Sequence, residues 1–65
     1  MHMGLRGVQQ NLAPRGIICK PVEPYRDGRT RYGVWPQGKR ILAKYTDDVE
    51  HAYILGLKGF DNVPH

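Results

Sequence analysis

Six side chains of this 65-residue chain carry the chemistry of anion recognition: Lys20, Arg29, Arg31, Arg40 and Lys44, with Trp35 among them. Guanidinium forks pair with phosphate oxygens and with the guanine edge, and a tryptophan on the same surface stacks on a base or lies along the sugar backbone. The charges around them are segregated. From Arg15 to Lys44, eight basic residues stand against two acidic ones, a net of +6. From Tyr45 to Lys58, Asp47, Asp48 and Glu50 stand against Lys58 alone, a net of −2 within a total of +4. Arginine alternating with apolar residues is required of any one-sided sheet and decides nothing by itself. The export of the acids to the next segment is what points to a polyanionic partner.

Other chemistries find no support. One cysteine, Cys19, excludes an internal disulfide and a thiolate metal cage, so a reducing cytoplasm and a small buried side chain are expected. His2, His51 and His65 lack ligand spacing, so neither a metal nor any other cofactor is expected. His51 beside Glu50 has no nucleophile or pocket to serve as a general base, and Asp47, Asp48 and Glu50 fall where a helix start explains them. The glycines form no phosphate-cradling motif. An enzyme is therefore not expected. A domain of this size buries only about 60% of its unfolded surface, which favours a binding surface over a deep pocket. No apolar run approaches the ~18 residues of a membrane helix, and the start of the chain lacks the pattern of a signal peptide.

The elements that must position the cations read as β-β-β-α. Gly16-Ile17-Ile18-Cys19-Lys20 is a β-branched run closed by Pro21 and Pro24. Asp27-Gly28 marks a turn. Arg29 to Trp35 then alternates, with Thr30, Tyr32 and Val34 on one face and Arg29, Arg31, Gly33 and Trp35 on the other. After Pro36-Gln37-Gly38, Lys39 to Tyr45 alternates again: Ile41, Ala43 and Tyr45 one way, Arg40, Leu42 and Lys44 the other. A further short strand at Leu5-Arg6-Gly7-Val8 fits only weakly. Thr46 or Asp47 is the expected N-cap of a helix, with Asp47 and Glu50 as a capping box and Val49, Ala52, Tyr53 and Leu57 as its apolar stripe. Gly56 or Gly59 ends it. The expectation is an α+β fold: a three-stranded antiparallel sheet packed against one C-terminal helix, the opposite sheet face bare and basic. Residues 1–4 read as a tag remnant or disordered start, 5–60 as the single domain and 61–65 as a tail.

In Arg6-Gly7-Val8 (or Arg15-Gly16-Ile17), Asp27-Gly28-Arg29, the stretch from Gly38 to Thr46 and a helix containing Glu50, Ala52 and Tyr53, the chain resembles AP2-type DNA-binding domains and the N-terminal domains of phage and transposon integrases. The resemblance covers about two-thirds of the sequence. It lacks the Trp-Leu-Gly run of the plant family, where Ile41-Leu42-Ala43 stands, and it keeps only Ala52 of the helix alanine pair. It implies a sheet face set into the major groove of duplex DNA in a protein of phage or mobile-element type. Arg29, Arg31, Trp35, Arg40 and Lys44 then carry over as contacts by strand and face. Two other readings compete. A protein-interaction module or inhibitor would meet an acidic partner through the same face, with Trp35, Leu42 and Ile17 as exposed anchors. A single-stranded RNA binder would stack bases on its aromatics. An open sheet edge also offers a route to a homodimer.

Overall fold

The computed structural model describes residues 4–61. The remnant assigned to 1–4 and the tail assigned to 61–65 therefore lie almost wholly outside the described residues. The elements are α1 (Leu5–Leu12), β1 (Ile17–Val22), β2 (Arg31–Pro36), β3 (Lys44–Thr46) and α2 (Val49–Lys58), with single 3-10 turns at Ala13–Arg15 and Arg40–Leu42. The sheet is antiparallel in the order β1-β2-β3, so the α+β expectation of three strands and a C-terminal helix holds. The helix α1 was not expected.

At Leu5-Val8, where the sequence fits a short strand only weakly, the chain is helical. Leu5, Val8 and Leu12 repeat at helical spacing, and Val8 and Leu12 are fully buried. A window of four residues is too short to show that period. Both helices pack on one face of the sheet around Val8, Leu12, Ile17, Cys19, Val34, Ala52 and Phe60. Ile17 therefore lies in the core and is no anchor on the basic face. Cys19 is the small buried side chain expected, and burial pushes its thiol pKa up.

Pro21 does not end β1, which runs on to Val22. The Gln37 N–H donates to the Gly16 carbonyl at 2.8 Å. Hydrogen-bonded pairs then fall at alternate positions along the β1–β2 ladder. Pro21 (opposite Tyr32) and Pro36 (opposite Ile17) occupy the pairs between them, where no ladder N–H is needed. On the outer edge of β1, Gln9 Nε2 donates to the Cys19 carbonyl at 2.8 Å. That bond and the Pro21 ring both oppose pairing with another strand.

The expected strand over Lys39–Tyr45 is mostly turn. Only Lys44–Thr46 pairs with β2, in the register Tyr32 opposite Thr46, Gly33 opposite Tyr45 and Val34 opposite Lys44. This inverts the expected faces: Lys44 and Thr46 lie on the helix side and Tyr45 on the open side. Ile41, expected beneath the helix, is exposed. Thr46 is buried because its hydroxyl accepts the Asp48 N–H at 3.2 Å and meets His51 Nδ1 at 3.0 Å, ordering the entry to α2. The N-cap is neither Thr46 nor Asp47 but Asp48, whose carboxylate accepts the Glu50 N–H at 2.9 Å. Of the two glycines proposed to end α2, Gly59 does so.

Gly56 instead sits inside α2, buried against Leu12. A Cβ there would stand 2.5 Å from a Leu12 methyl carbon. Leu12 is fully buried and has little room to yield. Gly56→Ala is expected to add about 1–3 kcal/mol of overpacking, against the ~1 kcal/mol that alanine's helix propensity returns. A net loss of stability in urea unfolding is the outcome that checks this close approach of α1 to α2.

Candidate functional site

The face of the sheet opposite the helices is built by cross-strand neighbours. The register sets Ile18 beside Trp35, Lys20 and Tyr45 on either side of Gly33, and Val22 beside Arg31. Gly33 is the gap in the middle. A Cβ on it would come within 2.8 Å of the Trp35 ring and 3.2 Å of both Tyr45 and Val22. Both rings therefore lie across the backbone of the central strand. Trp35, expected to project as a contact, is only 4% exposed.

Its cover consists of cations. Arg40 sits 5.0 Å and Lys20 5.7 Å from the Trp35 ring. Arg31 lies 4.7 Å from Tyr45 and 5.7 Å from Tyr25, and Arg29 stacks on Tyr25 at 4.9 Å. Attraction between a cation and the ring quadrupole fixes these heads without neutralising them. The stems of Lys and Arg meanwhile cover apolar surface. Among the described residues, no carboxylate pairs with Lys20, Arg31 or Arg40. Arg31 Nε is buried with no acceptor.

Two of the six predicted residues stand elsewhere. Lys44 points to the helix side, where its Nζ donates to the Gly59 carbonyl at 2.8 Å and lies 5.3 Å from the Phe60 ring. It completes the C-terminus of α2, and the inverted register of β3 is what sends it there. Arg29 lies before β2, in the loop rather than the strand. Its Nε meets Asp27 Oδ2 at 2.6 Å and its other arm reaches Asp47, tying the β1–β2 loop to the start of α2. Two carboxylates neutralise it. Lys20, Arg31, Trp35 and Arg40 do share one face.

Tyr25 and Tyr45 complete this face and were not foreseen as part of it; Gly33 was expected there by strand parity, but not as the gap the rings fold over. The signal was a glycine in mid-strand two residues before a tryptophan, which marks a place where rings fold over bare backbone. Among the described residues, no group of three or more His, Cys, Asp or Glu could hold a metal ion, and no helix is long and apolar enough to cross a membrane. No protein-family model matches the chain, and neither curated proteins nor solved structures show a significant match.

Two outcomes follow from this geometry. Gly33→Ala should displace the rings, lowering stability by about 1–3 kcal/mol and moving tryptophan emission to longer wavelength. The Asp27 carboxyl is held below the usual aspartate range, first by the Arg29 N–H and then by the guanidinium. A pKa depressed in the folded state stabilises the fold above the unfolded value, and that contribution disappears as pH falls through the folded midpoint. NMR titration should place the Asp27 midpoint below the ~3.9 of free aspartate, with Arg29→Ala returning it towards that value.

Proposed function

We propose that this chain binds duplex DNA through the open face of its sheet, with Lys20, Arg31 and Arg40 as its anion-pairing groups and Trp35 as the seat that holds two of them. The observation that carries the reading is that three cations are gathered on one face, held over aromatic rings and, among the described residues, left without carboxylate partners. Arg31 adds a buried Nε that has no acceptor among the described residues. Three carboxylates are engaged elsewhere in the fold: Asp27 and Asp47 hold Arg29, and Asp48 caps α2. A three-stranded sheet with strands ~4.8 Å apart also matches a major groove ~12 Å wide. The AP2-type relationship, with its phage or mobile-element setting and its cytoplasmic location, belongs to the same proposal.

The burial of Trp35 favours the duplex reading over the single-stranded one. A stacking platform needs a bare ring face, and here Lys20 and Arg40 occupy the ring. The cations are better placed for phosphates and groove edges than the ring is for a splayed base.

Fluorescence anisotropy with a short duplex over a range of salt tests the reading. Three phosphate contacts give a log K against log salt slope of about −3, at ~0.9 per phosphate. Arg31→Ala and Arg40→Ala should each flatten it by about one. Lys44→Gln, on the helix side, should leave it unchanged. Binding that is insensitive to salt, or weaker than micromolar at low salt, overturns the proposal.

A further inference from the structure

The turn between β2 and β3 holds a side chain that neither the core nor the cationic face uses. Ile41 is 96% exposed and its neighbour Leu42 is 40% exposed. The turn around them is closed rather than loose. Lys39 N–H donates to the Pro36 carbonyl at 2.9 Å, Leu42 N–H to Lys39 at 3.0 Å and Ala43 N–H to Arg40 at 2.9 Å. A branched aliphatic side chain is thus held in water on a hydrogen-bonded 3-10 turn. The turn is basic, with Lys39 and Arg40 preceding Ile41 and no acidic residue between Asp27 and Asp47. Arg40 ties it to the rim of the open face by lying on Trp35.

We infer that Ile41 is a wedge: when the open face engages a duplex, this side chain enters between two base pairs and kinks the DNA. The inference rests on the DNA reading above and adds its mode of engagement. Minor-groove proteins use aliphatic wedges that partly unstack one step and bend the duplex by roughly 20–90°, the lost stacking being recovered in extra contact; here the side chain enters a step from the major-groove side that the sheet occupies. The turn has the three properties such a wedge needs, namely exposure, a rigid backbone and a cation, Arg40, beside it for a flanking phosphate. A protein partner is the weaker occupant. Two aliphatic residues offer little of the ~800 Å² per side that a stable protein interface buries, and the charge beside them suits phosphate.

The test uses the full chain with a duplex of ~20 base pairs, two helical turns, carrying dyes at its ends and 2-aminopurine placed in turn along its length. The wild-type chain should raise both end-to-end energy transfer and 2-aminopurine emission at one step. Ile41→Ala should abolish both and weaken binding on the order of tenfold, while Ile41→Leu should retain them. Because Ile41 is almost fully solvated, circular dichroism should show both variants folded. A wild-type complex with a straight, fully stacked duplex overturns the wedge, as does an Ile41→Ala complex that still bends it. If Arg31→Ala still weakens binding in that same assay, the sheet-face reading stands without the wedge. No duplex binding by the wild-type chain overturns both.

Discussion

The central strand is buried on both of its faces, and the rest of the molecule is arranged around that constraint. Val34 is fully buried in the core beneath α2, while Gly33 and Trp35 are sealed from the other side. The described residues hold only two α-helices, and both lie on the same face. The second face is closed by what remains: the Tyr45 and Trp35 rings folded over Gly33 and the stems of Lys20, Arg31 and Arg40. Gly33 makes this possible, because any larger residue would lift the rings from the backbone.

Cationic side chains as a cover have a chemical consequence. A lysine or arginine laid on a ring keeps its full charge, and the contact is worth only about 0.5–1 kcal/mol at an exposed site. The heads stay available to a stronger anion while their stems go on shielding apolar surface. Arg29 shows the opposite outcome one loop away. With two aspartates in reach it becomes a structural tie, since a charge-assisted hydrogen bond outweighs a ring contact. Identical guanidinium chemistry thus serves architecture at position 29 and is left open at positions 31 and 40, and the difference is the supply of carboxylates.

Helix packing follows the same economy of size. Leu12 reaches the axis of α2 because Gly56 has no side chain, and Lys44 closes the far end of that helix by binding the Gly59 carbonyl. Thr46 and Asp48 order its beginning. β3 is only three residues long, yet it delivers Lys44 to one end of α2 and Thr46 to the other on a single face. Tyr45 between them is left for the opposite side. Capping of the helix and closure of the open face are therefore set by one register.

Local chemistry alone determined much of this fold. The turns at Asp27-Gly28 and Gln37-Gly38, the alternation of β2, the acidic start of α2 and the three-stranded antiparallel class all arise from residues close in sequence. Arg31 and Trp35 were legible on one face for the same reason, since the parity of β2 places them; Lys20 joins them through the β1–β2 register, and Arg40 reaches the face from a 3-10 turn rather than by strand parity. What only the tertiary structure decided depends on partners far along the chain. The parity of β3 is set by pairing with Gly33 across the sheet and by the needs of α2, so the alternation of residues 39–45 misplaced Lys44 and Tyr45. Trp35 is buried because residues at positions 20 and 40 converge on it. The stripe of α1 becomes persuasive only against a core that exists once Leu12 meets Gly56. Periodicity reveals a face; which surface that face meets is fixed by contacts that no local window contains.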